Sequence, residues 1–214
     1  MTKHKDIRSQ RRVRLVGKQM SQIVSQTYCS RNGKTILIRS ALPSDAQAFL
    51  NLVHSVLEES EFMIRAPEEY AMTVEPKREW ISNQRKRVRN TIIVAEINGV
   101  LIGFLNFYQD TRRRLVHQGE FGMGVNKEWR DQGIGKALLT ALLTWAETEP
   151  LLEKLRLEVF ATNERAIHLY TSLGFREEGQ LMKQVKTDDG RYIDLLLMSL
   201  FLKQEKCSFS HQCE

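Results

Sequence analysis

The stretch WRDQGIGKALL, residues 129–139, joins residue types that can hold an anion. Gly133 and Gly135 let the backbone approach a ligand with no Cβ in the way. An apolar helical pattern starts directly behind them. The first turn of such a helix offers unpaired N–H groups and a positive dipole end, which suit a pyrophosphate. Arg130 and Lys136 add positive charge beside it. Two other nucleotide motifs do not match. The P-loop ends Gly-Lys-Ser/Thr, whereas Gly135-Lys136 is followed by Ala137. The dinucleotide fingerprint needs a third glycine and an acidic strand end, and both are missing. Taken alone, the same residues also make a plain helix cap with its glycines packed on a strand.

The elements around this stretch set its context. TILIRSAL (35–42) reads as a first strand, and Pro43 and Ser44 open a helix carrying Ala46, Phe49, Leu50, Val53 and Leu57 at helical spacing. EFMIRAPEEYAM reads as a loop. Thr73 can cap a second helix with Pro76 in its first turn and Trp80 and Ile81 on its buried face. Two β-rich runs within 91–109 flank Asn98-Gly99, a strong hairpin signal, and 117–125 adds a third strand. A helix from about Gly133 to Glu147 carries Ile134, Leu138, Leu142 and Trp145 as its apolar stripe. KLRLEVFA (154–161) alternates as a strand. Asn163 suits the cap of a further helix, which ends at Gly174. Two last strands, about 175–187 and 191–202, meet at Asp189-Gly190. The order β, α, α, β, β, β, α, β, α, β, β predicts an α/β mixed sheet: mostly antiparallel, with a parallel pair in the middle and helices on both faces.

Residues 130–135 resemble the Q/R-x-x-G-x-G/A signature of the GNAT N-acetyltransferases, and LEVFATNERAIHLYTSLGF (157–175) closely resembles that superfamily's second conserved block. The element order is also similar, and the resemblance covers roughly residues 35 to 202. It implies that acetyl-CoA lies in a gap where two parallel strands, EFGMGV and LRLEVF, splay apart. Met123, Gly124 and Val125 would contact the pantetheine arm through backbone atoms. Arg130, Gln132, Gly133, Ile134, Gly135 and Lys136 would hold the pyrophosphate. Gly122 and Gly124 also read as a simple β-bulge. Asn163 would bond the pantetheine as well as cap its helix. Tyr170 stands seven residues beyond Asn163, nearly two turns, so both share a helix face. The matching tyrosine in the family is the general acid at the CoA sulfur; a tyrosine here could also just pack its ring in the core.

The base stays open between two carboxylates. Glu158 resembles the glutamate assigned in ribosomal-protein alanine acetyltransferases, and Glu120 the acid used by other branches. Alternation puts Glu158 on the face of Phe160, and Glu120 on that of Gly122 and Gly124. The implied activity is transfer of an acetyl group from acetyl-CoA to a primary amine by direct attack on the thioester. The amine is a small molecule, such as a polyamine or amino acid, or a protein N-terminus of the ribosomal-protein type. The alternative is a non-catalytic acyl-CoA-binding module of the same fold. Residues 58–75 and 183–193 would wall the acceptor; Glu58, Glu59, Glu61, Glu68 and Glu69 make the first segment acidic. Similar enzymes are often dimers, so a homodimer is compatible with the resemblance.

Composition bounds the rest. At 214 residues and 42% hydrophobic content the chain suits one domain with a real core. Neither a bilayer-spanning run nor a secretory h-region is found, and three cysteines without pairing or metal-ligand spacing suggest a reduced, cytoplasmic protein without metal. Residues 1–20 carry seven basic residues and one acidic, while the remainder carries 25 of each. The net charge of +6 therefore belongs to an arm. Only this arm gives nucleic acid a plausible contact. The expected organisation is a basic extension over 1–34, an acetyltransferase domain over 35–203 and a tail over 204–214.

Overall fold

A computed structural model describes residues 22–202; the basic run at 1–20 and the tail at 204–214 lie outside the described residues. The chain forms β1 (Gln26–Cys29), β2 (Thr35–Ser40), α1 (Ala46–Glu59), α2 (Val74–Lys86), β3 (Asn90–Ile97), β4 (Val100–Gln109), β5 (Gln118–Val125), α3 (Ile134–Ala146), β6 (Lys154–Phe160), α4 (Glu164–Ser172), β7 (Arg176–Lys186) and β8 (Tyr192–Phe201). The eight strands make one mixed sheet in the order β1-β2-β3-β4-β5-β6-β8-β7. Only β5 and β6 run parallel. No helix among the described residues is long and apolar enough to cross a membrane.

Two apolar clusters clothe the sheet. On one face Phe49, Leu50 and Val53 of α1 and Ile81 of α2 pack on Ile92, Val94 and Phe104. On the other Ile134, Leu138 and Leu142 of α3 pack on Ile93, Leu105 and Phe107. Neighbours such as Ile93 and Val94 serve opposite clusters because strand side chains alternate. On β4 that parity is interrupted: Leu101 and Phe104 share one cluster, Ile102 and Leu105 the other. The register slips there, between Ala95–Gly103 and Glu96–Leu101, so one extra residue flips the faces. At Asn98-Gly99 both residues take positive φ, 47° and 83°, as the tight hairpin demands.

The sheet begins earlier than the sequence reading places it. β1 pairs antiparallel with β2 from Gln26–Ile38 to Cys29–Thr35, so residues 26–34 belong to the folded domain rather than to an extension. Its strand is four mostly exposed residues and carries little apolar pattern. The readable signal was Asn32-Gly33, with Gly33 at φ 77°.

Inside the α1–α2 layer lies a lysine. Lys77 is 4% exposed and donates to the Tyr70 hydroxyl at 2.9 Å. Its ammonium lies 4.2 Å from the Phe49 ring centre and 4.0 Å from that of Trp80. Burial, then the nearby charge of Arg65, pushes its pKa down to about 8, while the ring faces favour the cation. A folded pKa below the unfolded one means that the unfolded chain binds the extra proton as pH falls from about 10.4 to about 8. This group's contribution to stability is lost over that window and stays constant below it. Lys77→Met is therefore expected to raise unfolding free energy at pH 7 by about 2 kcal/mol, the lost bond to Tyr70 offsetting part of the gain. Denaturant melts should show the gap closing by about pH 10.5; a pH-independent gap would refute the assignment.

Candidate active site

The site starts from a failure of pairing. β5 and β6 are joined only through Gln118–Lys154, Gly119–Leu155 and Glu120–Arg156. Beyond that rung β5 stays with β4 as far as Val125, and β6 with β8 as far as Phe160. The facing edges of 121–125 and 157–160 thus keep N–H and C=O groups without a strand partner, and such groups demand one. A cleft of about 770 Å³ opens between them. Met123, Gly124 and Val125 line one wall, and Glu158, Val159 and Phe160 the other. Gly122 and Gly124 are not a bulge, for β5 keeps an unbroken register against β4. Gly124 is required by packing: a Cβ there would come within 2.8 Å of the Phe104 ring and 2.9 Å of Val56.

Behind β5 the chain turns into α3 through two left-handed residues, Asp131 (φ 60°) and Gly133 (φ 87°). Gly133 caps the helix, and Ala137 N–H is the first to bond back to it. The N–H groups of Gly133, Ile134, Gly135 and Lys136 therefore have no partner among the described residues. Residues 133–136 all line the cleft. A Cβ at Gly133 would stand 2.2 Å from the Tyr28 hydroxyl. At Gly135 it would press on Leu169 and Met123 at 3.1 and 3.2 Å. Arg130 also lines the cleft and donates through Nε to the Val125 carbonyl at 3.1 Å. Gln132 does not reach the wall; its Nε2 donates to the Glu128 carbonyl and braces the loop.

Across the cleft lies α4. Asn163 caps it, Oδ1 accepting from Ala166 N–H at 3.1 Å, which leaves the amide Nδ2 for a ligand. Tyr170 is 8% exposed and still lines the cleft. Its ring meets those of Phe121 and Phe175 at 6.0 and 5.9 Å. This apolar surround pushes its pKa up to about 12, so the hydroxyl keeps its proton at every physiological pH.

The two carboxylates separate. Glu158 is exposed on the cleft wall. Glu120 belongs to the last paired rung, outside the wall, and its carboxylate takes Arg156 at 2.8 Å. Residues 60 and 62–65 join the cleft near Phe160, with Phe62 edge-on to that ring at 6.1 Å. Phe62 also borders a second cavity of about 460 Å³, closed by Glu61, Thr187, Arg191, Tyr192 and Asp194. Of the five glutamates in 58–69, only Glu61 lines either cavity. Glu59 accepts from Ser55 and from Lys127 N–H, and Glu69 from Ala66 N–H. Arg31 and Arg165 line the cleft too, and sequence reading missed both.

Residues 53–175 match the acetyltransferase (GNAT) family model, more than half of the chain. The chain belongs to the GNAT acetyltransferase family. It is 30% identical over 107 residues to an L-amino acid N-acetyltransferase of Escherichia coli, which covers 50% of this chain and 65% of that protein, just under two thirds of its length. It is 40% identical over 119 residues to the ribosomal protein bS18-alanine N-acetyltransferase of Escherichia coli, 56% of this chain and 75% of that one. In fold it matches the yncA protein of Salmonella typhimurium, solved with its cofactor acetyl-CoA, at TM-score 0.70 and 21% identity over 79% of this chain and 95% of the other. The GNAT fold is thus a mixed sheet whose β5–β6 pair is the parallel one, as the element order implied.

Proposed function

We propose that this GNAT-family chain transfers an acetyl group from acetyl-CoA to a primary amine. One observation carries the reading: the unpaired β5 edge, the amide cradle of α3 and the Tyr170 hydroxyl all face one cleft. The cradle fits a diphosphate, since residues 133–136 line the cleft with N–H groups that no described residue occupies. Acetyl-CoA supplies an acyl carbonyl on a thiol leaving group; the amine lone pair forms the C–N bond as the C–S bond breaks. The free β5 amides near Met123 to Val125 offer hydrogen bonds to the carbonyl oxygen as charge gathers there. Tyr170 donates its proton toward the departing sulfur. A thiolate leaving into the same apolar surround has its own basicity raised by desolvation, which suits so weak an acid. Glu158 takes the proton lost by the amine, through an ordered water.

The acceptor enters from the second cavity, where Glu61 and Asp194 stand beside Phe62. Carboxylates there favour a cationic amine. The assay is free-thiol release from acetyl-CoA with spermidine, L-amino acids and an N-terminal alanine peptide. Turnover on one class is the expected result. Tight acetyl-CoA binding with no turnover on any amine would favour the non-catalytic module instead.

A further inference from the structure

Four cationic side chains ring the α3 amide cradle: Arg31, Arg130, Lys136 and Arg165. Two of them are already engaged. Arg130 holds the Val125 carbonyl, and Arg165 pairs with Asp131 at 2.9 Å. Arg31 is exposed and has no carboxylate partner among the described residues. It comes from outside the residues that match the family model, on the turn between β1 and β2.

That turn is built and docked. Ser30, 4% exposed, closes it: Oγ donates to the Lys34 carbonyl and accepts from Lys34 N–H. Gly33 N–H bonds back to Ser30 at 2.9 Å. Arg31 N–H reaches the Gln132 carbonyl at 3.4 Å, inside the glycine loop. The Tyr28 hydroxyl occupies the space that a side chain at Gly133 would need. The Lys34 ammonium sits 4.7 Å over the Trp129 ring. The hairpin thus fixes the cradle from behind and presents one unpaired guanidinium at its mouth.

We propose that Arg31 is a phosphate-binding residue of the coenzyme A site, placed by docking of the β1–β2 turn on the glycine loop. The inference rests on the acetyl-CoA reading above. A guanidinium suits the work, since its planar fork matches phosphate oxygens. Both the diphosphate and the ribose 3′-phosphate of coenzyme A offer that chemistry.

The test is equilibrium binding of coenzyme A and of dephospho-coenzyme A to wild type, Arg31→Lys and Arg31→Ala across a salt series. Arg31→Ala keeps the backbone bond to Gln132 and removes an exposed side chain, so a thermal melt should match wild type. It is expected to bind coenzyme A roughly tenfold more weakly, with a shallower salt dependence and with Arg31→Lys recovering part of the loss. In turnover the change should fall on KM for acetyl-CoA rather than on kcat. An equal loss with dephospho-coenzyme A places the contact on the diphosphate; a loss confined to coenzyme A places it on the 3′-phosphate. Arg31→Ala binding within twofold of wild type would overturn the inference while the cofactor reading stands. A wild-type chain that binds neither ligand would overturn both.

Discussion

Tyr170→Phe is expected to lower kcat by about two orders of magnitude and to leave coenzyme A affinity nearly unchanged, the scale typical of removing one positioned general acid. The substitution is clean because of where the ring sits. Phenylalanine keeps the edge contacts to Phe121 and Phe175. It deletes a hydroxyl on the cleft wall to which no described residue hydrogen-bonds, so the fold loses no hydrogen bond. The pH profile adds a second mark. Burial holds the phenol's pKa near 12, so Tyr170 retains its proton well past neutrality. This group should therefore impose no falling limb on kcat below about pH 11. Steady-state kinetics with saturating amine from pH 7 to 10 would check both points. A Tyr170→Phe enzyme at wild-type kcat would remove the tyrosine from the mechanism.

The cleft wall formed by the starts of α3 and α4 was legible because its signals are local. Gly133, Gly135, Asn163 and Tyr170 fall in two contiguous stretches, each a strand end running into a helix. The hairpins at Asn98-Gly99 and Asp189-Gly190 declared themselves through residues that accept positive φ, taken by both Asn98 and Gly99 in the first and by Gly190 in the second. What stayed hidden depends on distant pairing. β1 is four residues long and has an apolar partner only once it lies on β2. The second cavity draws on separate segments, Glu61 with Phe62, Ala161 with Thr162, and Thr187 with residues 191–194. One of its walls is shaped by a slip in β7 between Leu181 and Val185, where Lys183 takes φ 53° and donates its N–H to Asp194. No single stretch of sequence announces that slip. Strand alternation likewise gave Glu120 and Glu158 a face each, but not their place along the splay. That place depends on where β5 and β6 stop pairing, a property of both strands at once.

The same geometry separates the two glutamates by experiment. Glu158→Gln is expected to lower kcat/KM near neutrality by about a hundredfold, and Glu120→Gln by less than about twofold. Glu158 lines the cleft, two residues before Phe160 on the same face. Glu120 sits one rung too early, spending its charge on Arg156 with both side chains about half exposed, at 47% and 48%. An exposed pair of that kind contributes little, on the order of 0–1 kcal/mol, so breaking it should not disturb the sheet. The Glu158→Gln deficit should also shrink with rising pH. A lysine-like amine titrates near 10.4, so near neutrality most of the acceptor carries a proton that the enzyme must take. As pH climbs toward that value solvent removes the proton, and a missing base matters less. A deficit that holds constant to pH 10 would mean that Glu158 orients the amine rather than deprotonating it. A pH-dependent loss carried by Glu120→Gln would move the base to the paired rung, and would require Arg156 to release its carboxylate when substrate binds.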